Sequence, residues 1–159
     1  MKVTIAAVGR LKAGAERALT ERYLDRANAA GKRLGLTFTV REFPESPAGN
    51  AVTRKDQEAR SILALAPPGT VLVALDEGGK ALTTKDFTDR LSRWRDDGEA
   101  EMLFAIGGAD GLGKAVLDRA GLRLAFGAMT WPHQFVRAML AEQFYRAVTI
   151  LSGHPYHRE

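Results

Sequence analysis

The sequence predicts an α/β protein, with a mainly parallel β-sheet flanked by helices, in a single domain over residues 1–159. Three observations carry this reading. Strand-like and helix-like segments alternate along the whole chain. The segment TVLVAL (70–75) is apolar without interruption, the pattern of a strand buried on both faces. Glycine-containing stretches follow three of the strand candidates, where connections of such a sheet leave its edge. No internal repeat, low-complexity tract or interdomain linker divides the chain.

Residues Lys2–Val8 are β-formers and small apolar residues closed by Gly9. Gly9-Arg10 interrupts this apolar run and a charged helix follows it, so a first strand fits better than a secretory leader. Over 13–32, Ala18, Leu19, Tyr23, Leu24 and Ala27 share one helical stripe, and Gly31 and Gly35 mark its end. LTFTVREF (36–43) alternates as a half-buried strand does, and PESPAGN (44–50) is a loop. A charged amphipathic helix over 52–66 is stopped by Pro67-Pro68-Gly69. DEGGK (76–80) is expected to break the strand 70–75. Thr83 or Thr84 can cap the next helix, which carries Phe87, Leu91 and Trp94 and ends near Gly98. A strand at Glu101–Ile106, a short helix at 114–120, a fifth strand at 122–129 and a last helix at 134–151 complete the order.

Apolar residues make up 45% of the chain and charged residues 26%, ordinary values for a globular domain with a sizeable core. No apolar run is long enough to cross a bilayer, so no membrane role is expected. The absence of cysteine excludes disulfides and thiolate metal sites, and is compatible with the cytoplasm. The net charge of +4 modestly favours a polyanionic partner.

The chemistry concentrates in the C-terminal stretch 126–159, which holds all three histidines, His133, His154 and His157. In an open parallel sheet, ligands collect at the carboxyl ends of the strands. Glycine there lets the backbone approach a ligand. The stretches 76–80, 107–113 and 126–130 are therefore expected to share one pocket; the plainer account makes them three unrelated turns. GADGLGK (108–114) nearly spells a phosphate loop, but Ala115 stands where the magnesium-holding hydroxyl belongs, and nucleotide hydrolysis is rejected. The histidines lack a set of partners for zinc, so no metal is expected. A tail of His, Tyr and Arg suits base stacking or proton transfer near neutral pH. Arg137 and Arg146 could grip phosphate or order the tail, although Glu142 offers Arg146 an ordinary helical ion pair. Trp131 could stack on a base or be buried. The last helix is apolar on more than one stripe, with Glu142, Gln143, Arg146 and Thr149 on a single polar side, and this predicts packing against a second copy of the chain.

LDEGGK (75–80), IGGADGL (106–112), MTWPHQFVR (129–137), EQFYRA (142–147) and the terminal HPYHRE together closely resemble the RlmH family of SPOUT-type methyltransferases. The likeness is strong from residue 71 onward. Gly78 stands where relatives often carry Arg or Pro. The resemblance implies an α/β-knot (SPOUT) fold with a C-terminal trefoil knot, and a homodimer packed last helix on last helix. It implies transfer of a methyl group from S-adenosyl-L-methionine to N3 of pseudouridine 1915 in 23S ribosomal RNA, on the assembled ribosome. It assigns cofactor contacts to Leu75, Gly107, Phe126, Gly127, Ala128, Met129, Thr130 and Trp131. The tail residues Tyr156, His157 and Arg158 are expected at the reacting base, and His133, Arg137, Arg146 and His154 on the RNA. His157 or His133 could accept the N3 proton. The competing readings are a knot methyltransferase with another RNA target and a non-catalytic RNA-binding module.

Overall fold

The computed structural model describes residues 1–154 and Tyr156. Five parallel strands form one sheet in the order β2-β1-β4-β3-β5: β1 Lys2–Val8, β2 Thr37–Phe43, β3 Val71–Ala81, β4 Glu101–Ile106 and β5 Leu122–Ala125. The helices are α1 Ala15–Gly31, α2 Ala51–Leu63, α3 Thr84–Asp96, α4 Lys114–Arg119 and α5 His133–Leu151, with a 3₁₀ turn at Lys32–Leu34. The expected order of elements is found. Asn50 caps α2 by accepting the Thr53 N–H, and Thr83 caps α3 by accepting that of Asp86.

The sheet is covered on both faces. On one, Ile5, Phe38 and Phe104 pack against α1, α3 and α5, with Phe144 of α5 stacked on Phe38 at 4.9 Å and edge-on to Phe104 at 5.0 Å. Burying Phe144 completely contributes about 2–3 kcal/mol. On the other face, Ala6, Val8, Leu72 and Leu103 meet Ile62 of α2 and Val116 of α4. The buried positions of β1 and β4 run consecutively because these central strands are enclosed from both sides.

Four expectations are revised. β3 does not end at Leu75: Leu75 and Lys80 both pair with Leu124, so residues 76–79 leave the ladder as a bulge and the strand resumes to Ala81. β5 is only four residues long, because Gly127 turns the chain out of the sheet at φ 104°. The buried stripe of α1 is Thr20, Leu24, Ala27 and Gly31, which leaves Leu19 exposed. Thr149 lies not on a wet side of α5 but fully buried, with its hydroxyl donating to the Arg146 carbonyl. Helix α5 runs against α1 and α3 and over β4, so three neighbours account for most of its apolar surface. What they leave uncovered is local, chiefly Phe135.

Candidate active site

β4, β3 and β5 are adjacent and parallel, so the loops leaving their carboxyl ends meet at one edge of the sheet. Between them is a cavity of about 760 Å³, within the range of roughly 300–1,000 Å³ typical of small-molecule sites. Leu75, Ile106 and Leu124 line it from the strands, and residues 107–112 from the loop after β4. Asp76 and Glu77 line it from the bulge, and Phe126, Gly127, Met129, Thr130, Trp131 and His133 from the connection into α5. All the residues assigned to the cofactor therefore border this space except Ala128. Asp76 and Glu77 belong to the stretch 76–80 expected at this pocket, whereas Lys55 and Leu124 are lining residues that sequence reasoning did not single out.

The three walls are held in different ways. Loop 107–113 is folded on itself: the Gly111 N–H donates to the Gly108 carbonyl at 3.0 Å, and a Cβ on Gly107 would come within 2.5 Å of the Gly111 carbonyl carbon. Gly107 is thus required by the loop's own packing. Asp110 in this loop is bonded to Arg54 at 2.7 Å, and that guanidinium holds the carboxyl below the usual carboxylate range. In the bulge, Asp76 accepts the Gly78 N–H at 2.8 Å, a bond that proline at this position could not donate. The third wall, 126–132, is more open. Met129 is 72% exposed and Trp131 43% exposed. Thr130 donates its hydroxyl to Glu77 at 2.9 Å, and Trp131 Nε1 donates to the Phe126 carbonyl at 3.2 Å. Trp131 is therefore not buried in the core, and among the described residues it stacks on no other ring. Its accessible indole borders the cavity.

His133 opens α5 beside the cavity. Burial, and the charge of Arg137, push its pKa below the ordinary histidine value, with Glu45 acting in the opposite direction. Burial and Arg137 thus favour the neutral imidazole over the imidazolium. Arg137 corrects an expectation: its side chain is 0% exposed and cannot meet RNA phosphate. It donates to Glu42 at 2.7 Å and to the carbonyls of Val8 and Gly9 at 2.6 and 2.7 Å, tying α5 to the end of β1. Burial lowers the guanidinium pKa, and Glu42 opposes that shift.

Arg146 bonds Glu142 at 2.6 Å and lies 5.2 Å from the centre of the Tyr156 ring, a cation–π contact. The Tyr156 ring also packs 4.6 Å from that of Tyr145, and its backbone N–H donates to His154 Nδ1 at 3.2 Å. Burial and a bond with Tyr23 raise the Tyr156 pKa. None of Arg146, His154 and Tyr156 lines the cavity of its own chain. His157 and Arg158 lie outside the described residues. In the phosphate-loop-like stretch, Lys114 is exposed and paired with Asp118. Among the described residues, no cluster of His, Asp and Glu side chains could hold a metal ion, and no helix is long and apolar enough to cross a membrane.

Residues 1–157 match the family model described as "Predicted SPOUT methyltransferase". The chain is 55% identical over 159 residues to the Ribosomal RNA large subunit methyltransferase H of Nitrobacter hamburgensis, covering 99% of both chains. It is 52% identical over the same length to the protein of that name from Bradyrhizobium diazoefficiens, again covering 99% of both. A solved probable methyltransferase from Bordetella pertussis superposes with a TM-score of 0.52 over 92% of this chain and 95% of that one, at 15% identity, and so supports the fold alone. With the five-stranded sheet and all three cavity loops inside these full-length matches, the chain belongs to the ribosomal RNA large subunit methyltransferase H family of SPOUT methyltransferases.

Proposed function

We propose that the protein transfers a methyl group from S-adenosyl-L-methionine to N3 of pseudouridine 1915 in 23S ribosomal RNA, within assembled ribosomal particles and hence in the cytoplasm. The observation that carries this reading is the convergence of the loops after β3, β4 and β5 on one cavity, in a chain that matches its family from end to end. The cavity suits the methyl donor: Leu75, Ile106, Leu124 and Phe126 offer apolar surface for an adenine and a thioether. Asp76 and Glu77 add negative charge, which attracts a cationic sulfonium. The trefoil knot belongs to the same proposal, with the C-terminal segment threaded through a loop at this edge of the sheet.

When bound, S-adenosyl-L-methionine supplies an electrophilic methyl group for in-line displacement. The chain's contribution is position, since holding two reacting atoms in line removes much of the barrier. The folded 107–113 loop fixes one wall, and the Glu77–Thr130 bond draws the other across the opening. The acceptor N3 must shed its imide proton. His133 is the described residue suited to take it, because its neutral imidazole borders the cavity.

The tail is proposed to act on a second copy's site, because His154 and Tyr156 lie away from their own cavity. An apolar groove of about 330 Å³ between α1 and α5, lined by Leu19, Tyr23, Phe135 and Met139, supports a homodimer that includes α5. Phe126 lines both this groove and the cavity. Sedimentation at micromolar concentration is expected to give a dimer for the wild type and a monomer for Phe135→Asp; a wild-type monomer contradicts it.

The test of function is methyl incorporation into ribosomes from a strain lacking its own copy of this gene, mapped by mass spectrometry. A single methyl on the stated pseudouridine is expected. Methylation of another nucleotide favours a different RNA target. No methylation, together with no heat of binding for S-adenosylmethionine, refutes the enzymatic reading.

A further inference from the structure

The loop after β1, residues 9–14, contains Arg10 and Lys12 and no acidic residue. Both side chains are exposed, and among the described residues neither forms a hydrogen bond or an ion pair. Leu11 between them is buried, so the two cations flank an anchored residue. The backbone is held as firmly as the side chains are free. The Leu11 N–H donates at 3.0 Å to the same Glu42 oxygen that accepts from Arg137, and Arg137 binds the carbonyls of Val8 and Gly9. Gly9 makes the turn at φ 82°, where a side chain would be strained.

The anchorage is expensive, because a fully buried guanidinium must recover its desolvation through these few bonds, and its Nε has no partner among the described residues. The same ion pair satisfies the Leu11 N–H and the carbonyls of Val8 and Gly9, so it fixes the loop's position. That position is beside the methyl-transfer cavity: a Cβ on Gly9 would lie 3.5 Å from His133 Nε2, and one on Gly108 would lie 3.1 Å from Val8 Cγ1. His133 and Gly108 both line the cavity.

We propose that Arg10 and Lys12 form a pre-set phosphate grip that seats the RNA backbone next to the target nucleotide. This rests on the RNA methyltransferase reading and adds to it a binding element outside the cavity and the tail. Arg137 acts through the loop as a positioning residue, while Arg10 and Lys12 make the contact. Fixing the cations in advance reduces the ordering cost that flexible side chains otherwise impose on binding.

The test compares Arg10→Ala/Lys12→Ala with a control, Lys32→Ala/Arg33→Ala, which removes the same charge from the loop before β2 at the opposite end of the sheet. The substrate is ribosomes from the gene-deleted strain. The loop variant is expected to raise KM for ribosomes about 10-fold at physiological salt, and to flatten the log–log salt dependence of kcat/KM by about one unit per cation removed. Its S-adenosylmethionine affinity and melting temperature should match the wild type, and the control should change KM less than 2-fold. Equal KM and salt slope in loop variant and wild type, or equal losses in loop variant and control, overturn the phosphate grip while leaving the methyltransferase reading intact. A wild type that neither binds the donor nor methylates ribosomes overturns both.

Discussion

Two walls of the same cavity are built by opposite means. The wall after β4 is packed: loop 107–113 closes on its own backbone, is clasped by Arg54, and sits against β1, whose end Arg137 secures. The wall after β5 is exposed, and its polar ties are few, chiefly the bonds from Thr130 to Glu77 and from Trp131 to Phe126. Loops with few buried contacts open at low cost, whereas packed ones open with the fold. The contrast indicates a division of labour, in which the first wall defines the site and the second closes on what enters.

If the packed wall is part of the fold, breaking its support should cost stability first. Arg137→Ala leaves Glu42 and two buried carbonyls without their partner, and is expected to destabilise the protein by about 3–5 kcal/mol in chemical denaturation. Lysine at 137 should not restore it, since one ammonium cannot reproduce the three-point geometry. Gly107→Ala forces a Cβ into backbone and should cost about 2–3 kcal/mol. It should also weaken donor affinity at least 10-fold, so calorimetry on this variant has to be read beside its melting temperature. A variant of normal stability would remove the packed-wall description.

The open wall should behave the other way. Thr130→Val loses one hydrogen bond worth about 1 kcal/mol, equivalent to about a 5-fold loss of donor affinity, with the melting temperature unchanged. Glu77→Gln, which keeps an acceptor, should lose less through this bond. The smallest effect is in pH dependence. The folded state holds His133 neutral more strongly than the unfolded chain does, so stability is expected to fall as pH drops below about 6.5 and the unfolded state takes up the proton first. His133→Gln should flatten that loss. The acid limb of kcat/KM should lie below the ordinary histidine pKa if His133 is the proton acceptor; an acid limb unchanged in the variant would assign that proton elsewhere.

The order of elements and the cavity at the strand ends were legible because both follow from local pattern: uninterrupted apolar strands, glycine after them, caps before helices. Features decided by distant partners were not. The bulge at 76–79 depends on both Leu75 and Lys80 pairing with Leu124, which no reading of DEGGK alone reveals. Residue type alone suggests a phosphate-gripping role for Arg137. Its spacing told otherwise, since 137, 140, 141, 144 and 148 fall on one stripe of α5, all of it buried. The Arg10–Lys12 loop is not legible from its own residues, because its significance lies in a carboxylate 31 residues from Leu11 and a guanidinium 128 residues from Gly9.

Amide hydrogen exchange with and without S-adenosylmethionine tests the central claim most directly. Donor binding in the shared cavity predicts slowed exchange in 76–79, 107–113 and 126–131, largest in the last segment because it begins least protected. Slowing confined to the opposite end of the sheet, around Lys2 and Glu101, or no change in the three loops at saturating donor, contradicts the account.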